Sequence, residues 1–189
     1  MHHAGHRRQG IAAGFTAMSA AVMQAGYAED RAAIEDLMAR YLFAMDWGDY
    51  DAYLDMFTED GELEFARGTA RGRQAISESV RAFKQAIGQF YKDADGNPAI
   101  LRHIISQTVI RIEGDRAFTV AFWWEMANDG PGGKPKAGTF GTYEDELVKQ
   151  DGRWLFSKRR ILNEFLEGRS TGEVNPVRLL DERAKKARA

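Results

Sequence analysis

The residue best suited to move a proton is His103, which lies within the apolar run AILRHIISQTVIRI at residues 99–112. The other three histidines of the chain all fall within the first six positions. The run has the composition of a β-strand, in which His103 shares one face with Leu101 and Ile105. Imidazole titrates near neutral pH and can act as a general acid or base. A hydrogen-bonded core histidine is ordinarily the commoner role, and this alternative stands beside the catalytic one.

Asp46 is the second candidate, because it continues the apolar stripe of a predicted helix. It follows Met38 by eight residues and Leu42 by four. A buried carboxylate needs a partner, or it takes up a proton. If Asp46 meets His103, it fixes the tautomer of the ring, makes it more basic and leaves the other nitrogen free as a general base. The alternative is that the helix ends near Gly48 and Asp46 emerges into water.

Several further side chains are candidates for contact with a substrate. Trp123 and Trp124 are consecutive in a strand-like run, so only one of them can face an interior cavity. Arg159 and Arg160 diverge in the same way, and one of them can face inward. The candidate substrate contacts are Tyr53, Trp123, Trp124, Lys134 and Tyr143, of which the aromatic residues are more often plain core.

The composition of the chain excludes several kinds of catalytic and binding site. The chain has 189 residues and no cysteine, which excludes disulfides, thiolate metal sites and a cysteine nucleophile. Its formal charge of -2 gives no electrostatic footprint for nucleic acid or an anionic membrane. The sequence GPGGKPKAG lacks the Ser or Thr of a phosphate loop, and no HExxH motif occurs. One histidine among scattered acids is a poor metal site, so the sequence predicts no metal and no cofactor.

Residues 1–28 are interpreted as an N-terminal extension outside the folded domain. Their basic start, mildly apolar middle and GYA ending resemble an export signal, although Gln24 and small polar residues weaken its hydrophobic part. A true start at Met18 or Met23 is the alternative. We expect a cytoplasmic protein, or a periplasmic one if the segment acts as a signal. No membrane span is expected, because no run approaches about 18 apolar residues.

Helices that precede a sheet must position the candidate residues. Residues 30–47 carry apolar side chains at helical spacing, with Asp30 available as N-cap. A short helix, a short strand at EDGELEF and a third helix at GRQAISESVRAFKQAIGQF come next. Two long hairpins follow, which turn at residues 113–115 and 151–152.

This order predicts an α+β domain over residues 29–168, in which a curved antiparallel sheet wraps around the N-terminal helices. A sheet of that shape encloses a cavity, which is the usual place for a small ligand. Residues 169–189 are expected to form a tail with a short basic helix.

Four stretches of the chain resemble a known family. They are AIEDLMARYLFAMDWGDYDAYLDMFTEDGELEF, GRQAIS, LRHIISQTVIRIEGDRAFT and GTYEDELVKQDGRWLFSKRRI, which together cover about residues 29–165. The ordered landmarks DxGD, FTEDG, RH and DGRW are similar to those of the SnoaL-like branch of the nuclear transport factor 2-like superfamily. The resemblance implies a cone-shaped antiparallel sheet that is closed by helices and holds its ligand inside.

The resemblance also implies roles for individual residues. Scytalone dehydratase and hexachlorocyclohexane dehydrochlorinase use an aspartate at the end of the first helix and a histidine on the first long strand. These positions correspond here to Asp46 and His103, so we expect the two to face each other as a catalytic pair. The arginine of the dehydrochlorinase matches Arg159 best, and its remaining polar residue of the first helix falls near Tyr41.

The resulting hypothesis is a cofactor-independent lyase for a small, hydrophobic, hydroxylated substrate with one or two aromatic rings. His103, oriented by Asp46, removes a proton, while Tyr41, Arg159 or Lys134 assists the leaving group. Elimination of water and a retro-aldol-type loss of formaldehyde both fit. An isomerase or hydrolase of the same fold, or a binding module that leaves its ligand unchanged, are the alternatives. Lyases of this branch often form trimers, so a homo-oligomer, trimer or dimer, is expected.

Overall fold

The computed structural model describes residues 26–165, 168 and 170–188, so nearly all of the predicted extension at 1–28 lies outside the described residues. The helices and strands follow the predicted order, with one additional short strand, β2. They are α1 (Tyr27–Trp47), α2 (Tyr50–Asp55), β1 (Phe57–Phe65), β2 (Gly68–Arg71), α3 (Arg73–Phe90), β3 (Leu101–Glu113), β4 (Arg116–Ala127), β5 (Lys136–Gln150), β6 (Arg153–Asn163) and α4 (Pro176–Arg188). None of the described helices is long and apolar enough to cross a membrane.

Helix α1 begins earlier than predicted, and its predicted N-cap is wrong. The cap position is Gly26, whose φ of 88° suits glycine, and Asp30 lies inside the helix. The Asp30 carboxylate instead accepts hydrogen bonds from Lys149 Nζ at 2.6 Å and Trp154 Nε1 at 2.9 Å. Burial opposes the charge of Asp30, but these donors outweigh it and lower its pKa. Asp30 therefore fastens the start of α1 to the β5–β6 hairpin, a long-range contact that a capping rule cannot anticipate.

The six strands form one curved, open sheet in the order β2-β1-β6-β5-β4-β3. The four long strands form antiparallel hairpins, as predicted, and β1 also pairs with β2 in antiparallel register. The exception is β1 with β6, which run parallel, a pairing that requires a long connection and here has β2, α3, β3, β4 and β5 between the two strands. Strand β3 is left at one edge of the sheet, where α1 contacts it.

The core lies between α1 and the concave face of the sheet. The apolar stripe of α1 is buried as its spacing predicts, and each large side chain in it contributes about 1.5–3 kcal/mol of hydrophobic stabilisation. Its buried residues are Ile34, Leu37, Met38, Tyr41, Leu42 and Ala44. They pack against a cluster that includes Phe57, Leu63, Tyr143, Leu147 and Phe156. The stripe holds the carboxyl end of α1 against β3.

The C-terminal helix α4 is docked on the sheet. Leu180 and Ala184 are buried against Phe118 and Val120 of β4, in a small cluster separate from the main core. The helix therefore covers part of the opposite face of the β3–β4 hairpin.

Candidate active site

Asp46 and His103 are in direct contact, although 57 positions separate them in the chain. Asp46 Oδ1 lies 2.6 Å from His103 Nδ1, and Asp46 Oδ2 accepts the backbone N–H of His103 at 2.8 Å. The aspartate side chain is only 5% exposed, so the alternative in which it emerges into water is wrong. Helix α1 ends at Gly48 in a left-handed turn with φ of 72°, and Asp46 thus reaches β3 from the last turn of the helix. Both carboxylate oxygens fix His103, one through its ring and one through its backbone.

A second carboxylate, Glu125, lies on the other side of the imidazole. Its Oε2 is 3.3 Å from His103 Nε2, and its Oε1 accepts the backbone N–H of Thr139 at 3.2 Å. Gly138 makes room for this arrangement, because a Cβ there would lie 2.5 Å from Glu125 Oε1. Glu125 is buried. His103 is therefore held between two acids, of which the sequence interpretation found only Asp46.

A β-bulge brings Glu125 opposite His103. From the hairpin turn to the pair Val109 and Val120, the strands β3 and β4 pair without interruption. Continuing that register would place Met126 opposite His103. Strand β3 carries one extra residue between Ser106 and Val109, at which Gln107 has a φ of 47°. The register moves by one residue, and Glu125 becomes the partner of His103.

The two acids control the protonation of the ring. Burial alone would lower the pKa of the His103 imidazole, but the contacts with Asp46 and Glu125 outweigh it and raise that pKa from 6.5 to about 9. Burial raises the pKa of Glu125, and its contacts with His103 and Thr139 more than reverse this, so its pKa is lowered. In the resting protein at neutral pH, His103 is mainly an imidazolium ion.

A cavity of about 730 Å³ opens beside this cluster. It lies between the end of α1, helix α3, the segment leading into β3 and the inner faces of β1 and β6. Four of the predicted site residues line it, namely Tyr41, Asp46, Tyr53 and His103. Most of the remaining wall is apolar, with Met45, Trp47, Leu63, Phe65, Val80, Phe83, Ile87, Pro98, Ile100, Leu101 and Ile161 among its residues. The size and lining suit a ligand with one or two aromatic rings.

Tyr41 and Tyr53 form a hydroxyl pair at the inner end of the cavity. Their oxygens are 2.8 Å apart and their ring centroids 4.8 Å apart. Burial raises the pKa of both phenols, that of Tyr53 well above its usual range, although the Arg159 charge opposes the shift. Both groups therefore stay protonated, and in their mutual hydrogen bond one hydroxyl donates and the other accepts.

The model of the SnoaL-like domain matches residues 26–160. The chain belongs to the SnoaL-like family. No curated protein matches it.

Solved structures support the same fold. Rv3472, a protein of unknown function from Mycobacterium tuberculosis, is 25% identical with a TM-score of 0.61, over 84% of this chain and 88% of that one. ActVI-ORFA from Streptomyces coelicolor is 19% identical with a TM-score of 0.63, over 74% and 98%. A scytalone dehydratase-like protein from Novosphingobium aromaticivorans is 19% identical with a TM-score of 0.62, over 81% and 99%. At identities this low the last two show the fold alone.

Arg159 of this SnoaL-like chain lies behind the cavity wall and does not line it. It is fully buried, and its guanidinium donates to both oxygens of Asp145 at 2.8 Å. Its Cζ lies 3.9 Å from the ring centroid of Tyr41 and 4.3 Å from that of Tyr143. Burial lowers its pKa and the Asp145 charge raises it, with a net increase. The structure places Arg159 in contact with the site through Tyr41.

Four predicted substrate contacts also lie off the cavity. Trp123 and Tyr143 are buried and stack on each other with their ring centroids 5.5 Å apart. Trp123 Nε1 donates to the Leu162 carbonyl. Trp124 points to the opposite face of the sheet from Trp123, and Lys134 is exposed on the loop before β5. Trp123 comes nearest, with its ring centroid 6.0 Å from that of His103. The alternation along a strand predicts which residues share a face of the sheet. It does not predict whether a residue of the inner face lines the cavity or packs in the solid core.

Within the part of the chain that the structure describes, no group of three or more His, Asp and Glu side chains has the placement of a metal site. The carboxylates around His103 instead surround a ring that holds a proton.

Proposed function

We propose that this SnoaL-like protein is a cofactor-independent lyase that acts on a small, hydrophobic, hydroxylated substrate with one or two aromatic rings. The observation that carries the proposal is the bidentate Asp46–His103 contact at the wall of the aromatic cavity. Such a pair is suited to move a proton, and the apolar lining is suited to rings.

The working atom of the pair is His103 Nε2. Nδ1 is engaged by Asp46 at 2.6 Å, whereas the contact that the described residues offer to Nε2 is the longer one of 3.3 Å with Glu125, which a substrate group can replace. With a pKa of about 9, roughly one molecule in a hundred carries neutral imidazole at pH 7. That form is the general base, and its high pKa makes it a strong one.

Two eliminations follow from one proton transfer. In dehydration, Nε2 takes a proton from carbon, the carbon–oxygen bond breaks, and the departing hydroxyl leaves as water with the proton returned from Nε2. In formaldehyde loss, Nε2 takes the hydroxyl proton of a hydroxymethyl group, and the bond between the hydroxymethyl carbon and its neighbouring carbon breaks. The proton then returns to the neighbouring carbon, which kept the electron pair. Tyr41, polarised by Tyr53, donates a hydrogen bond to the oxygen that gains charge.

Mass spectrometry after incubation with a panel of hydroxylated monoaryl and diaryl compounds tests the proposal. A product lighter by one water or one formaldehyde, formed by the wild type and lost in the His103→Gln variant, is the expected result. A product of unchanged mass means an isomerase, and an added water means a hydrolase. Undiminished turnover by a folded His103→Gln variant rules out the proposed mechanism.

One observation favours a second candidate, a binding module that leaves its ligand unchanged. Both ring nitrogens of His103 face a carboxylate, as they do in a purely structural ion cluster. In that case, compounds of the panel bind at micromolar concentration, as measured by calorimetry, and are recovered without change.

A further inference from the structure

The mouth of the cavity is rich in cations. Arg81 and Lys84 of α3 and Arg102 of β3 line it, and none of the three forms a salt bridge within the described residues. Among the described residues, Asp46 is the only acid that lines the cavity, and it is engaged by His103. This is the opposite of the whole chain, whose formal charge is -2.

Each cation is held in place but keeps donors to spare. The Cζ of Arg102 lies over the Trp47 ring, 3.7 Å from its centroid, and one of the guanidinium nitrogens donates to the Leu101 carbonyl at 2.7 Å. A guanidinium has five N–H donors, so most of them remain available. Trp47 is 61% exposed, which places this stacked pair at the entrance and not in the core.

Lys84 faces the same opening from the other side. Within the described part of the chain, its Nζ makes two long hydrogen bonds at the carboxyl end of α1, 3.3 Å to the Asp46 carbonyl and 3.4 Å to the Met45 carbonyl. Burial lowers the pKa of Lys84, the charge of Asp46 raises it and the charge of Arg102 lowers it, with a net decrease. Lys84 and Arg102 line the same cavity, and neither forms a salt bridge within the described residues, so both charges are available to an anion at the mouth.

The third cation widens the positive rim. The Arg81 guanidinium lies 4.0 Å from the ring centroid of Tyr50, and its Nε donates to Ser77 Oγ at 3.3 Å. Tyr50 and Arg81 both line the cavity. Three cations therefore line the mouth. Arg81 and Arg102 lie over aromatic rings, and Lys84 contacts the carboxyl end of α1.

In the part of the chain that the structure describes, the inner end of the cavity lacks free cations. There the uncharged Tyr41 and Tyr53 hydroxyls line the wall, the Asp46 carboxylate is engaged by His103, and Glu125 contacts the ring from outside the cavity lining. The favoured place for a negatively charged group is therefore the mouth, so the cavity orients a ligand that carries one.

We infer that the natural substrate is an aromatic acid, whose carboxylate is bound at the mouth by Arg102 and Lys84 while its rings and reacting hydroxyl extend inward to His103. The inference rests on the proposed function for the reacting end of the molecule. The anion subsite itself rests on the rim cations. A carboxylate is the fitting group, because a guanidinium binds it with two parallel hydrogen bonds.

Calorimetry with two probes tests the subsite without any turnover. Biphenyl-4-carboxylate carries the charge, and biphenyl-4-carboxamide has nearly the same shape without it. We expect the wild type to bind the carboxylate at least about tenfold more tightly, since hydrogen bonds between charged groups are about twice as strong as neutral ones. The preference is expected to shrink with added salt.

Variants assign the preference to the rim. In the Arg102→Gln/Lys84→Gln double variant, the preference is expected to fall below about threefold, while carboxamide affinity stays within about twofold of the wild type. Arg116→Gln is the matched control, because Arg116 also lies over an aromatic ring, Phe118, but is outside the cavity. It is expected to keep the full preference.

Equal affinity of the wild type for the two probes overturns the inference. So does a preference that survives in a folded double variant. If the preference follows the rim cations but no compound is turned over, the anion subsite stands and the proposed lyase activity fails, so the two failures are distinguishable.

Discussion

Glu125 lies directly opposite His103 on the neighbouring strand, with its Oε2 3.3 Å from the Nε2 of the ring. This pairing exists only because strand β3 carries one extra residue at the Gln107 bulge. Together with Asp46 on the far side, it encloses the imidazole between two acids. The protonation of His103 therefore depends on a backbone irregularity several residues away.

The bulge should be sensitive to the residue at position 107. Gln107 has a φ of 47°, a conformation that β-branched residues adopt only with strain and glycine adopts freely. Gln107→Val is expected to lower the free energy of unfolding by about 1–3 kcal/mol, and Gln107→Gly to leave it within about 1 kcal/mol of the wild type. Urea denaturation of the two variants measures the difference. Equal stability of the valine and glycine variants contradicts a bulge held in this conformation.

Removing the charge of Glu125 should make His103 easier to deprotonate. In Glu125→Gln the pKa of His103 is expected to fall from about 9 by at least about one unit, because one of its two acidic contacts is lost while the burial remains. Titration of the imidazole signals by NMR measures this, and the signal absent from His103→Gln identifies the residue.

Asp55→Asn is the control for this titration. Asp55 pairs with Arg153 at the surface and has no contact with His103. A His103 pKa that is unchanged in Glu125→Gln, or that falls equally in Asp55→Asn, argues against the Glu125 contact.

Stability should decline as the pH rises from neutral. The folded protein holds the His103 proton up to about pH 9, whereas an unfolded histidine releases it near 6.5. The stabilisation is therefore fully present below 6.5 and is lost as the pH rises to 9, with a total on the order of 3 kcal/mol. Denaturation at a series of pH values should show this slope in the wild type and not in His103→Gln. The same slope in both proteins means that another group is responsible.

The pH dependence of turnover separates two roles of His103. If neutral His103 is the base, kcat/KM on a verified substrate rises about tenfold per pH unit and levels above about pH 9. In Glu125→Gln the levelling point should move down with the His103 pKa. A rate that falls through pH 9 instead identifies the imidazolium as a general acid, which contradicts the base mechanism.

The buried pair of Arg159 and Asp145 should act mainly on stability. Both side chains are fully buried, so removing one partner leaves an uncompensated charge. Arg159→Met and Asp145→Leu are each expected to lower the free energy of unfolding by about 3–5 kcal/mol. The double variant should lose clearly less than the sum, as a double-mutant cycle by denaturation will show. Additive losses mean that the two residues are not coupled.

The sequence by itself predicted the order of elements, apart from the short strand β2, and made Asp46 and His103 candidates for the site. The helical spacing from Ile34 to Leu42 put Asp46 in line with the apolar stripe, and the strand run around residue 103 put the histidine on the face of Leu101 and Ile105, while the exposed and purely structural alternatives stayed open. Both inferences use local periodicity, which the chain carries in full. The resemblance to the family added the prediction that Asp46 and His103 meet.

Only the tertiary structure decided which neighbours complete the site. Glu125 depends on a one-residue register shift, and Asp30 binds Lys149 and Trp154 from the far end of the chain instead of capping its helix. Arg159 is drawn into the core by Asp145, away from the cavity where it was expected. In each case a contact between residues distant in sequence outweighs a local preference, because the register of strands and the pairing of buried charges are set by the packed sheet as a whole.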